Sequence, residues 1–180
     1  MTASPHIPVI RRAAPHDAAR LAAFLRQLFV EAYADCSTSA NVDAYLDHAF
    51  GAVQQAAELA DPSHMTWIVA DANDWLGVLQ VRLPSTPPAG VDLHRPAQLH
   101  RIYLASRAIG QGLGRRLLDT AIDAARAGGA DGLWLSVWQR APGPIAVYGR
   151  AGFRIVGTAT FQVGDDPLED WIMQRRIDPA

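Results

Sequence analysis

Apolar side chains recur along this chain with two periods, and the switch from one to the other lays out its elements. Leu21, Phe24, Leu25, Leu28, Phe29 and Ala32 keep the three- and four-residue spacing of one helix face, behind Pro15 and Asp17 at its start. After a break at Ser37 to Asn41, which offers N-cap residues, Val42, Tyr45, Leu46, Ala49, Phe50 and Val53 resume that spacing. They predict one second helix running to Ala60, where Asp61-Pro62 ends it. Leu113, Leu117, Leu118, Ala121, Ile122 and Ala125 predict a third, closed by Gly128-Gly129, and residues 144–151 form a short fourth. Between them, runs at 7–12, 65–71, 75–83, 98–104, 132–138, 153–161 and 168–176 have the β-rich composition of strands. The second and third of these form a hairpin around Asn73 and Asp74, and the last two an antiparallel pair. Pro84, Pro87, Pro88 and Gly90 make 84–96 the flexible connection of the chain, long enough to serve as a binding loop.

That order is mixed α/β (α+β), with hairpins toward both ends and a strand-loop-helix-strand unit in the middle. No internal repeat occurs, and 180 residues suit one domain spanning 1–180. Composition changes the picture mainly by exclusion. All 16 basic residues are arginine, and 18 acidic residues leave a formal charge of −2, so there is no basic footprint for nucleic acid. No apolar run long enough to span a bilayer and no secretory leader pattern occurs, which predicts a cytoplasmic protein without a membrane partner. Cys36 is the only cysteine, which excludes an intrachain disulfide and suits a small apolar role. The six histidines form no helical i, i+4 pair and no ligand cluster, so no metal is expected.

The chemistry concentrates in Ile109-Gly110-Gln111-Gly112-Leu113-Gly114-Arg115-Arg116, between a strand and a helix. Amides at a helix start have no earlier carbonyl to bind and sit at the positive dipole end, which suits phosphate. Glycines remove the Cβ atoms that would hold a pyrophosphate off the backbone. A P-loop is excluded because the chain has no lysine. A dinucleotide fingerprint is excluded because the third glycine, Gly114, comes one position early.

His100-Arg101-Ile102-Tyr103-Leu104 followed by Gly110 to Leu118 resembles motif A of the GNAT acetyltransferases. Leu133 to Trp138, then Tyr148-Gly149-Arg150-Ala151-Gly152-Phe153, is similar to motif B. Phe29 with Tyr33, Asn41 to Leu46, and Phe161 with Gly164, Asp165, Asp166, Asp170, Ile172 and Met173 resemble the PaiA-type spermidine/spermine acetyltransferases. The likeness is weakest around 84–96. Three positions depart from it: Ile109 stands where Gln or Arg is usual, Ala141 where Asn is common, and Pro144 where Ala is frequent.

The resemblance implies a mixed, mostly antiparallel sheet of about seven strands with about four helices, its fourth and fifth strands splayed. It implies acetyl-CoA as co-substrate, a small-molecule amine as acceptor, and a monomer or homodimer. Ile102, Tyr103, Leu104, Ile109, Gly110, Gln111, Gly112, Leu113, Gly114 and Arg115 are then the cofactor-binding residues. Backbone amides near Leu104 would stabilise the thioester oxygen as it gains charge. Tyr148 is the matching position for the acid that protonates the departing thiolate, with a reference pKa of about 10 within about two units of a thiol. An alkylammonium needs roughly 4.6 kcal/mol to lose its proton at pH 7. Family members often carry a carboxylate at the position of Gln98, so His100, on the same strand face by alternation, becomes the candidate base. Phe29, Glu31 and Tyr33 are candidate substrate contacts, and Glu31, Asp35, Asp165, Asp166, Glu169 and Asp170 can line an acidic mouth suited to a polyamine. An amino acid, an aminoglycoside-like amine or a protein N-terminus are alternative acceptors, and a CoA-binding sensor without catalysis is an alternative of another class.

Overall fold

A computed structural model describes residues 7–33, 37–72 and 74–178; Asp35, Cys36 and Asn73, named above, and one of the six histidines, His6, lie outside them. Its strands are β1 (Val9–Arg12), β2 (His64–Ala70), β3 (Trp75–Arg82), β4 (Pro96–Leu104), β5 (Gly132–Trp138), β6 (Arg154–Val163) and β7 (Asp166–Arg176). Its α-helices are α1 (Ala18–Tyr33), α2 (Ser39–Ala49), α3 (Ala52–Ala60), α4 (Leu113–Ala127) and α5 (Pro142–Arg150). The seven strands form one sheet in the order β1-β2-β3-β4-β5-β7-β6, in which β4 and β5 are parallel and every other neighbouring pair is antiparallel. Among the described residues no helix is long and apolar enough to cross a membrane.

Strand alternation sends neighbouring side chains to opposite faces, so each face is covered by its own helices. Ile68 and Val78 pack with Leu21, Leu25, Phe29, Val42 and Leu46 of α1 and α2. Val69, Leu79, Leu99, Leu133 and Leu135 pack with Leu117, Leu118 and Ala121 of α4 and with Tyr148 of α5.

Two expectations are corrected. The single helix predicted to run from 42 to 60 is two helices. Phe50 leaves helical geometry to bury its ring against Phe29 and Tyr45, and Gly51 starts α3 in an extended conformation. Gln55 then caps the end of α2, its Nε2 donating to the Ala49 carbonyl at 3.4 Å. The 84–96 connection, read as flexible, is tied down instead. Trp134 Nε1 donates to Ser85 Oγ at 3.0 Å, and the Asp92 amide donates to Gln174 at 2.8 Å. At Gly90, with φ 95°, a Cβ would come within 2.5 Å of the Val156 carbonyl oxygen, so only glycine lets the loop lie this close.

The face under α1 to α3 also holds a buried polar group. Arg101 donates to Glu58 at 3.2 Å and to Gln80 at 2.6 Å, and its guanidinium stacks on Phe50. Gln80 in turn donates to Thr66 and Glu58. Pairing offsets the cost of burying the Arg101 and Glu58 charges and fixes α3 over β3 and β4.

Candidate functional site

β4 and β5 are held together only at Pro96 to Gln98 against Gly132 to Trp134. Farther along, β4 pairs with β3 alone and β5 with β7 alone, so the strands part and the edge of β4 from Leu99 to Leu104 faces a gap. Amides at such an edge are free to stabilise a developing oxyanion. Three cavities follow one another through this gap. An outer one of about 470 Å³ is lined by Gly114, Leu104, Glu31, Arg150 and Tyr148. A middle one of about 410 Å³ shares Ile102, Tyr103, Ile109 and Tyr148 with it. An inner one of about 170 Å³ shares Tyr33, His100, Tyr103 and Ser136 with the middle one, and adds Tyr45, Phe161 and Asp170. The outer one is bounded by α1, α4 and α5, and the inner one by α1 and α2.

The glycine turn opens onto the outer end. Gly110 and Gly112 take φ of 83° and 76°, a left-handed conformation that side chains disfavour, and Gly112 caps α4. The first hydrogen bond of α4 runs from the Arg116 amide to the Gly112 carbonyl at 3.2 Å, so the amides of Leu113, Gly114 and Arg115 precede the helical ladder. A Cβ placed on Gly110 or Gly112 would meet no atom within 4 Å beyond the adjoining residues of the turn. Bare backbone, free amides and open space are what a pyrophosphate requires, and all three are present. Ile109 is 67% exposed and lines both the outer and the middle cavity. Gln111 Nε2 donates to the Arg107 carbonyl at 2.8 Å, and Arg115 pairs with Asp119 at 2.9 Å, so protein partners hold both side chains.

Tyr148 comes from α5, buried against Phe153 and lining both larger cavities. Burial, reinforced by neighbouring Tyr103, pushes its phenol well above the ordinary tyrosine value, so its hydroxyl keeps its proton and remains a donor. A thiolate in the same enclosure suffers the same desolvation, which keeps the two acidities comparable.

His100 is the extra residue of a bulge in β4, since Gln80 pairs with Arg101 while Val81 pairs with Leu99. The bulge brings Arg101 and Tyr103 to the same inner cavity that Gln98 and His100 line. Alternation alone would have sent Arg101 to the opposite face. Burial, with Arg101, Arg82 and His64 adding repulsion, pulls the imidazole down to about 2. Such a group is neutral and weakly basic at neutral pH, which argues against His100 as the base.

The substrate candidates divide. Tyr33 lines the middle and inner cavities. Phe29 is fully buried and stacks on Tyr33 and Tyr45 at 4.6 and 4.5 Å between ring centres, so it backs the cavity wall. Glu31 lies on the outer side, toward the glycine turn, its carboxylate accepting from the amide and hydroxyl of Ser106 and from Gln27. Of the acids expected at the mouth, Asp165 and Glu169 are exposed, and Asp166 accepts from Ser37. Among the described ones Asp170 alone is buried, at 4% exposure.

Sequence reasoning passed over Ser136 as a site residue and left Asp170 among six acids. The parity of β7 marks it: Leu168, Asp170 and Ile172 alternate onto one buried face, which places a carboxylate between two core residues.

The acetyltransferase (GNAT) family matches residues 23–153. An uncharacterized N-acetyltransferase from Lactobacillus delbrueckii subsp. lactis is 21% identical over 155 residues, covering 86% of this chain and 89% of that one. The fold is shared with the PaiA N-acetyltransferase of Thermoplasma acidophilum in complex with coenzyme A, at a TM-score of 0.75 and 16% identity over 95% of this chain and 99% of that one. It is shared as well with a GNAT-family acetyltransferase from Streptococcus pneumoniae, at a TM-score of 0.68 and 24% identity over 96% and 100%.

Proposed function

This chain belongs to the acetyltransferase (GNAT) family, and on that footing we propose that it moves acetyl from acetyl-CoA to a primary amine of a polyamine, such as spermidine or spermine, by direct attack with both substrates bound. The observation that carries this is the row of three neighbouring cavities at the parted strands, with the bare glycine turn beside the outer one, Tyr148 lining the outer and middle ones and a buried carboxylate lining the inner one.

Acetyl-CoA supplies an acetyl thioester. The amides from Gly110 to Arg115 hold its pyrophosphate, Ile102, Leu104 and Ile109 flank the arm, and the free edge of β4 offers amides to the carbonyl oxygen. The Tyr148 hydroxyl donates toward the departing sulfur. For the acceptor, a fourth cavity of about 530 Å³ carries Asp166 and Glu169 and adjoins the middle one at Trp138 and Arg140. Two carboxylates outside and one inside suit an acceptor with more than one ammonium group.

Thiol release from acetyl-CoA across an amine panel tests this. Spermidine and spermine are expected to turn over. Activity on peptides or aminoglycosides alone would remove the polyamine, and failure of acetyl-CoA to raise the melting temperature would remove the enzyme reading itself.

A further inference from the structure

We propose that the inner cavity is the ammonium-binding site of the acceptor and that Asp170 serves there both as its counter-ion and as the base that takes its proton. This rests on the proposed acetyl transfer and adds to it a residue and a chemical class of acceptor head. Asp170 Oδ2 accepts the Ser136 hydroxyl, while Oδ1 is buried without a hydrogen-bond partner among the described residues. A buried carboxylate oxygen left unsatisfied is costly, and a cation that enters the cavity to meet it removes that cost. The other walls suit the rest of an alkylammonium. Tyr33, Tyr45, Tyr103 and Phe161 line the space, offering aromatic surface to a cation and its first methylenes. At about 170 Å³ the cavity has room for the aminoalkyl end of an acceptor. Tyr33, His100, Tyr103 and Ser136 also line the middle cavity, where Tyr148 stands, so the ammonium site adjoins the proposed place of transfer.

The atoms balance. The ammonium gives one proton to Asp170 and its lone pair is freed. The nitrogen–carbon bond forms as the carbon–sulfur bond breaks, the electron pair staying on sulfur. Tyr148 protonates that sulfur and recovers a proton from the nitrogen, and Asp170 returns its proton to water, one per acetyl transferred. Burial raises the Asp170 carboxyl, with the Ser136 hydrogen bond opposing and Glu169 adding to the rise, which brings it closer to the amine.

The charged and titratable groups facing Asp170 are Tyr33 from α1, Tyr45 from α2, and His100, Arg101 and Tyr103 from β4, with Glu169 beside it. The three tyrosines are pushed up and His100 down, so all four stay neutral, and Arg101 is bound to Glu58. That leaves two carboxylates, Asp170 inside the cavity and the exposed Glu169 beside it, and the acid limb of the rate profile is assigned to Asp170, the one that lines the cavity.

The test is Asp170→Asn in the full chain, with spermidine and acetyl-CoA. Acetyl-CoA affinity, by titration, should stay within about twofold, while kcat/KM for spermidine at pH 7 falls at least about 100-fold. The deficit should shrink about tenfold per pH unit toward pH 9.5, because the variant relies on amine already neutral in water. A merely structural role predicts a deficit that does not change with pH. Ser136→Ala, which keeps the carboxylate but removes the hydrogen bond that lowers it, should move the acid limb to higher pH. An Asp170→Asn enzyme as active as wild type, a pH-independent deficit, or an unmoved limb in Ser136→Ala overturns the assignment while leaving acetyl transfer standing. A wild type that binds acetyl-CoA and acetylates no amine overturns the acetyl-transfer reading, and this inference with it.

Discussion

Glu31, near the end of α1, accepts two hydrogen bonds from Ser106, one from its amide at 2.8 Å and one from its hydroxyl at 2.7 Å. Ser106 begins the one-turn helix that leads from β4 into the glycine turn, so a carboxylate 75 residues upstream holds the entry to that turn. Glu31→Ala should leave the fold intact and weaken acetyl-CoA binding roughly fivefold, about 1 kcal/mol, through a looser turn. Calorimetric titration checks this, and an unchanged affinity would show that the turn is set without Glu31.

Gly112 separates backbone strain from ligand contact. With φ at 76° and open space where a Cβ would lie, Gly112→Ala should cost the free protein about 1 kcal/mol, from conformation alone. Acetyl-CoA affinity should fall at least about tenfold, because the methyl occupies the space assigned to phosphate. Urea unfolding with and without acetyl-CoA measures both quantities, and equal effects on the two would remove the glycine turn from the binding site.

Tyr148→Phe removes only a hydroxyl from a buried ring that packs on Phe153. Turnover should drop about 100-fold while acetyl-CoA affinity and melting temperature stay nearly as they were. Steady-state kinetics with a saturating amine decides it, since an unchanged kcat excludes Tyr148 as the donor to sulfur.

Far from the site, Asp17 gives a stability signature in acid. Arg11 donates to it at 2.7 and 2.9 Å and the Ala14 amide at 2.8 Å, and these bonds hold its carboxyl down from 3.8 to about 2. A depressed carboxyl contributes stability that is full above its unfolded value and is lost as pH falls through its folded one. Asp17→Asn should thus cost about 2 kcal/mol at pH 7, with the gap closing between about pH 4 and pH 2. Denaturant unfolding across that range checks the sign; a gap that widens in acid would contradict the pairing.

What the sequence by itself determined about this protein was local in the chain. Helix faces, strand runs and the glycine turn before α4 follow from spacing and backbone freedom within a few residues, and the structure has the mixed seven-stranded sheet with parted fourth and fifth strands that the motifs implied. The glycines of the turn were legible for the same reason, while Tyr148 of α5 was singled out by the resemblance of its motif. Tertiary structure decided what depends on remote segments meeting. Phe50 breaks a helix because its ring finds Phe29, Tyr45 and Arg101. The bulge at His100 turns Arg101 toward the inner cavity, and burial then takes the basicity of His100 away. Asp170 became distinct from Glu31, Asp165, Asp166 and Glu169 only when β7 inserted between β5 and β6, carrying its carboxylate beneath α1 and α2 and beside Ser136. A charge's chemistry is set by its desolvation and its neighbours, and those are assembled from parts of the chain that no local pattern connects.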